Sequence, residues 1–248
     1  MHKLAITSVI SLFVATFTAS SATAEPLRAH EASYRASITK GISLTGSATR
    51  TLAQTNDGHW RYAFVVDSSI ATISENSNFT LADSQIIPTS YRYALTGMLL
   101  KDRQQTVAFN WQKEQAREQY KDQSWTVPIQ LGLLDRLSYQ LQLQTDISQK
   151  NRAVDASNAV LPENIYRYNV LHKGEVRHYQ FKQTARETID TALGKKQSIL
   201  VEKVRDKGKA RETKLWFDQA PPYALLRMIQ VEPDGEAYEI NIEKLHQP

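Results

Sequence analysis

Asn56-Asp57-Gly58-His59-Trp60-Arg61-Tyr62-Ala63-Phe64-Val65-Val66 decides the fold. Trp60, Tyr62, Phe64 and Val66 recur at every second position. Successive side chains on a strand point to opposite faces, so this period of two reads as a half-buried strand. The Asn-Asp-Gly before it is a turn, because Gly takes positive φ freely and Asn and Asp tolerate it. Ser47–Gln54 on the far side of that turn is a second strand, and together they make an antiparallel hairpin.

The same grammar repeats outward. Asp206-Lys207-Gly208 separates Gln197–Arg205 from Arg211–Phe217, and Pro233-Asp234-Gly235 separates Leu225–Val231 from Ala237–Leu245. Tyr238, Ile240 and Ile242 alternate with Glu239, Asn241 and Glu243. Further strands are predicted at Ser33–Thr39, Ile73–Leu81, Thr89–Leu95, Thr106–Asn110, Ala116–Tyr120, Tyr166–His172 and Val176–Thr188. About a dozen short strands in meander order predict a mainly β chain. A sheet that long curls, so the expected form is a single curved antiparallel sheet or a partly open β-barrel.

One segment breaks the pattern. In Leu133–Ile147, Leu134, Leu137 and Leu141 fit a helical face, whereas Leu137, Tyr139, Leu141 and Leu143 fit a strand. Leu and Gln are good helix formers and no Gly or Pro intervenes, so one short helix is predicted near 135–146. Asp135 near its start suits the helix dipole. Residues 149–164 read as a loop.

The first 24 residues read as an export signal. Lys3 is followed by the uncharged run Leu4–Phe17 and the small-residue exit Ala22-Thr23-Ala24. That run is 14 residues long, against the roughly 20 that span a bilayer. Cleavage between Ala24 and Glu25 leaves residues 25–248 as a single β-rich domain, expected to be soluble in the periplasm of a Gram-negative-type bacterium. No later run is long enough to form a transmembrane segment. The chain has no cysteine, which excludes disulfides, thiolate metal sites and a lipid anchor on cysteine. The formal charge of +4, one unit of it from Lys3, is too mild and mixed to indicate nucleic acid.

No residue set spells out a reaction. There is no Gly-x-Ser-x-Gly elbow and no His-Glu-x-x-His, so no catalytic residue, metal site or cofactor is assigned. His172 and His178 flank the turn Lys173-Gly174-Glu175 and read more simply as strand histidines than as metal ligands. Glycan cleavage needs two carboxylates facing one cleft, and Glu75, Asp83, Glu187, Glu202 and Glu212 lie on or near strands. Glu75, Trp60, Tyr91, Tyr93, Arg211 and Trp216 are the candidate residues for a ligand cavity.

Several elements occur together in a recognisable order: Tyr34-Arg35-Ala36, Ser74-Glu75-Asn76-Ser77-Asn78-Phe79, Pro88-Thr89-Ser90-Tyr91-Arg92-Tyr93, Leu134–Leu141, Arg211–Phe217 and Leu225–Gln230. In these the chain resembles a family of exported bacterial proteins known only as a domain of unknown function. Lys40–Gly46 is a looser match to that family's Gly-rich hairpin. The resemblance covers nearly all of the chain after residue 24. It implies a β-rich fold, an envelope compartment and a short helix at Asp135–Asp146, and it carries over no catalytic residue. The functional reading that follows is a non-catalytic cell-envelope binding or assembly module. Its expected site is concave and apolar, between the sheet and Leu134–Leu141, and its partner a lipid-like ligand or an envelope protein. The alternatives are an envelope-glycan enzyme using a carboxylate pair and an interaction module acting by strand addition.

Overall fold

The computed structural model describes residues 27–40, 42–98, 101–157, 164–204 and 211–248. The signal segment with its Ala24–Glu25 junction, and the turn 206–208, lie outside these. The first half of the chain forms strands β1 (His30–Lys40), β2 (Ile42–Gln54), β3 (Trp60–Ser68), β4 (Ala71–Ala82), β5 (Gln85–Gly97), β6 (Arg103–Asn110), β7 (Gln115–Tyr120), β8 (Gln123–Pro128) and the two-residue β9 (Leu133–Leu134). Helix α1 (Ser138–Ser157) follows. The second half forms β10 (Ile165–His172), β11 (Glu175–Thr191), β12 (Gly194–Lys203), β13 (Glu212–Asp218), β14 (Leu225–Val231) and β15 (Ala237–His246).

All fifteen strands form one curved sheet. Its order runs from β8 back to β1, crosses to β15, and runs back to β9. Each half is therefore a meander of neighbours in sequence. The long-range antiparallel pairing of β1 with β15, from Glu31↔His246 to Thr39↔Ala237, joins them. Every pair is antiparallel except β9 with β10. Two of the Gly-containing turns read from sequence are present: Thr55 N donates to the His59 carbonyl at 2.8 Å, and Glu232 N to that of Glu236 at 2.8 Å.

One face of the sheet is inner throughout. Tyr34 on β1, Leu52 on β2, Tyr62 on β3, Phe79 on β4, Tyr91 on β5 and Phe181 on β11 are fully buried there. Against them lies α1, which is enclosed over most of its length: Leu137 just before it and Leu141, Leu143 and Ile147 within it have no exposed surface. Burying each contributes about 1.5–3 kcal/mol. The glutamines between these leucines are enclosed as well, and they replace water with sheet backbone. Gln142 accepts from Ile86 N at 2.7 Å and donates to the Ser84 carbonyl at 3.2 Å, while Gln144 donates to the Pro222 carbonyl at 3.0 Å. The Leu-Gln alternation is thus a helix solvated by protein on every side, a state that satisfies its buried polar groups.

Several expectations need correction. The helix begins at Ser138, not Asp135, and runs to Ser157, so 149–157 is helix and not loop. Leu133 and Leu134 are strand. The strand β8 was not anticipated, since Gln123-Ser124 and Thr126 carry no apolar alternation. The expected apolar cavity beside Leu134–Leu141 is filled by those leucines.

Asp135 starts the helix as a cap. Its Oδ1 accepts from Leu137 N and Ser138 N, both at 2.8 Å, Ser138 Oγ accepts from Asp135 N at 2.9 Å, and Ser77 Oγ on β4 donates to Oδ2 at 2.6 Å. This reciprocal capping ties the helix start to the sheet.

The two ends of the sheet meet without a ladder. Glu118 on β7 turns inward and is 1% exposed. Its carboxylate accepts from the successive backbone N–H groups of Lys173 and Gly174, at 2.7 and 2.8 Å, in the β10–β11 turn. It also accepts from Gln105 Nε2 at 2.5 Å. Both turn residues have positive φ, and a Cβ on Gly174 would lie 2.5 Å from the Trp125 ring of β8, so glycine is required on both counts.

Two outcomes follow. Glu118→Gln places an amide NH2 against backbone donors, and a charge-assisted bond of this kind contributes about 1.5–3 kcal/mol. Urea denaturation should show a loss in that range, and amide exchange at Gly174 should accelerate; unchanged exchange there would mean the clamp does not hold the seam. Burial pushes Asp135 from 3.8 up to about 6, so the folded chain keeps a proton that the unfolded chain releases. That contribution is complete below pH 3.8 and lost as the pH rises through 6. Asp135→Asn keeps the Oδ1 cap, so between pH 3.5 and 7.5 the native chain should lose on the order of 3 kcal/mol relative to this variant. Parallel stability–pH curves would contradict the assignment.

Candidate functional site

The up-and-down topology sends the β5–β6, β7–β8, β10–β11 and β12–β13 connections to one end of the sheet, and basic residues sit at each of them. There they border a cavity of about 850 Å3. Arg103 enters from β6, Arg136 from the segment before α1, Lys173 from the β10–β11 turn, Arg177 from β11, Lys203 from β12, and Arg211 from just before β13. Tyr93, Tyr120 and Tyr179 complete the inner wall, and the exposed Val176 and Val204 stand on its rim. No Asp or Glu among the described residues lines it. Arg211 is paired with Glu232 at 2.5 Å and Arg177 with Glu175 at 3.7 Å, both from outside the lining.

Stacking holds the cations over tyrosines. Arg136 lies 5.4 Å from the Tyr93 ring centre, Lys173 4.7 Å from Tyr120, and Lys203 3.3 Å from Tyr179. Such contacts suit partly desolvated cations. His172 reports the resulting field. Burial, then Arg136, Arg177, Lys173 and Arg211, push its imidazole down to about 3, so it is neutral at ordinary pH. Its Nδ1 is buried and has no hydrogen-bond partner among the described residues.

Behind this mouth Glu75 and Tyr93 are cross-strand partners on the inner face. Tyr91 donates to Glu75 at 2.5 Å, and burial, with the negative charge of Glu75, holds the Tyr91 hydroxyl well above the usual phenol range. Deeper inside, Arg50 is 3% exposed, donates to Tyr62 Oη at 2.9 Å and to Gln140 Oε1 at 2.8 Å, and stacks 4.5 Å from the Phe64 ring centre.

Among the residues singled out in the sequence, Tyr93 and Arg211 therefore line the cavity, and Glu75 and Tyr91 stand behind it. Trp60 lies in the core opposite Phe79. Trp216 is on the opposite face of β13 from Leu215, where it donates to Glu187 at 2.6 Å. Glu75 and Glu212 are on opposite faces of the sheet, so they make no carboxylate pair. His172 pairs with Glu175 and His178 with Asn169, which places the two histidines on opposite faces. No cluster of three or more metal-ligating side chains occurs among the described residues, and no described helix is long and apolar enough to cross a membrane.

The sequence reading missed Arg103, Arg136, Lys173, Arg177 and Lys203. The signal for them was the recurrence of basic residues at alternate turns, which gains meaning only once strand order is known.

The fold has solved counterparts. A beta-barrel-like protein of the DUF1849 domain of unknown function from Brucella abortus superposes with a TM-score of 0.56 at 10% identity, covering 90% of this chain and 98% of that one. A DUF1329 family protein from Desulfovibrio piger reaches 0.26 at 11% identity, covering 89% and 86%, too low a score to support an argument. No curated protein matches the sequence. The family model that matches, over residues 32–242, is that of a protein of unknown function, DUF3108, and the chain belongs to that family.

Proposed function

We propose that the domain is a non-catalytic binding module of the cell envelope that takes the anionic head of a lipid-like, amphipathic molecule into the basic mouth. The observation that carries this reading is the mouth's composition: six cationic side chains border about 850 Å3, and no carboxylate lines it among the described residues. Like charges gathered on low-dielectric walls repel one another, and an anion relieves that repulsion. The exposed Val176 and Val204 give the apolar part of the ligand a place on the rim. Export through residues 1–24 belongs to this proposal, because it sets the molecules that the mouth meets.

With Leu137, Leu141, Leu143 and Ile147 packed against the sheet, the expected site moves outward, and recognition is of the head group. Titration of residues 25–248 with a short-chain phosphatidylglycerol, set against the phosphatidylcholine of equal chain length, tests it. The anionic lipid should bind at least tenfold more tightly and lose that advantage in Arg136→Gln and Lys203→Gln, with binding weakened by salt. The His172 imidazole, followed by NMR, should titrate at higher pH in the loaded protein, because the anion offsets the cations that hold it down. Equal affinity for both lipids, or an unmoved His172, would overturn the reading.

A further inference from the structure

A second large concavity among the described residues is on the outer face. There β3–β8 form a trough of about 1080 Å3. Its floor is made of short hydroxyl, amide and alanine side chains, such as Ser74, Asn76, Ala94 and Thr106, so nothing bulky fills it. Three arginines rise from it: Arg61, Arg92 and Arg117. Arg61 is held by Asn76 Oδ1 at 3.2 and 3.0 Å, while Arg92 and Arg117 have no hydrogen-bond or ion-pair partner among the described residues. Glu118 borders the trough, but its carboxylate is turned inward to Lys173 and Gly174. The trough therefore presents positive charge alone.

One wall of the trough is an open sheet edge. The strand β8 ends the sheet, and Gln-Ser-Trp-Thr-Val-Pro carries no lysine or inward charge; its one protecting residue, Pro128, stands at its end and leaves Ser124 and Thr126 open. The β7–β8 hairpin closes at Tyr120↔Gln123, and beyond β8 Ile129 N donates to the Glu114 carbonyl at 2.9 Å. Antiparallel ladders alternate, so Trp125 and Val127 bond toward β7 while Ser124 and Thr126 aim their N–H and C=O groups away from it. Those outward groups have no partner among the described residues.

We infer that an extended, acidic segment of a partner protein adds to the sheet at β8 and places its carboxylates over the trough. Its backbone pairs with Ser124 and Thr126. Its outward side chains, at every second position, lie about 10 Å from β7, two strand spacings away. An arginine and a glutamate span that distance together, and Arg117 stands opposite Thr126 on this face. Charge selects the occupant. A second copy pairing through β8 would bring two arginine troughs alongside one another, whereas an acidic strand neutralises one. Main-chain pairing supplies affinity and the alternating carboxylates supply choice, as in other strand additions.

The test is fluorescence anisotropy of residues 25–248 with two labelled eight-residue peptides, one alternating Thr and Glu, the other Thr and Lys. The Thr-Glu peptide should bind at least tenfold more tightly. Thr126→Pro deletes an edge donor and spares the β7 ladder, and should weaken it at least tenfold. The paired charge reversal Arg92→Glu with Arg117→Glu should invert the preference, a gain that misfolding cannot imitate. Equal affinity for the two peptides, binding of neither, or no inversion overturns the inference. So does a concentration-dependent dimer abolished by Thr126→Pro, which would make a second copy the occupant. Polygalacturonate bound more tightly than the Thr-Glu peptide and unaffected by Thr126→Pro would make it a glycan.

Discussion

A fifteen-stranded sheet has two ends, and Glu118 is what brings them together. A carboxylate with 1% exposure is costly to bury alone, yet here its oxygens receive two backbone N–H groups and a side-chain amide. Those backbone groups belong to a turn in which Lys173 and Gly174 both take positive φ, so their N–H vectors converge on one acceptor. Much else is placed by this joint. It carries the β10–β11 turn across to β7 and β8, sets Gly174 against Trp125, and puts Lys173 and Arg177 beside Arg103 and Tyr120. The basic mouth is the inner side of that seam.

The filled interior follows the same rule at most positions, that a polar group removed from water needs a partner; Arg50 Nε and Tyr166 Oη are buried without one among the described residues. Gln142 and Gln144 on α1 bond to backbone in the β4–β5 turn and to Pro222, and Asp146 accepts from Tyr168 Oη at 2.6 Å. Arg50 shares its charge with Tyr62, Gln140 and the Phe64 face. An interior built this way is specific as well as apolar, since sliding α1 along the sheet would leave these groups unpaired.

The strands with strong alternation and the Gly-containing turns were legible in the sequence because each is a local property: Trp60–Val66 needs only its own period, and Asn56-Asp57-Gly58 only its own backbone. The helix was legible in kind but not in extent. Its length depends on polar residues such as Asn151, which bonds to the Ile147 carbonyl and to Arg186, a contact 35 residues away in sequence. The strand β8 escaped notice because an edge strand with one face over an open trough has little apolar alternation to display. The mouth was half visible. Tyr93 and Arg211 stood out by composition, while Arg136 and Lys203 became meaningful only when non-adjacent strand ends met.

The pairing of β1 with β15 sets an order of events. Each half of the sheet is built from neighbouring hairpins and can organise as it is made. Yet β1 keeps a bare edge until the last strand of the chain arrives, because Glu31 waits for His246. Loop closure over almost the full length of the chain is the slow step in such a topology. Until Ala237–His246 is made, the growing chain therefore holds β1 and β14 in separate half-sheets. A chain that stops before Ala237 is left with the inner faces of β1 and β14 separated, and with two bare edges, those of β1 and β14, that β15 covers in the finished molecule.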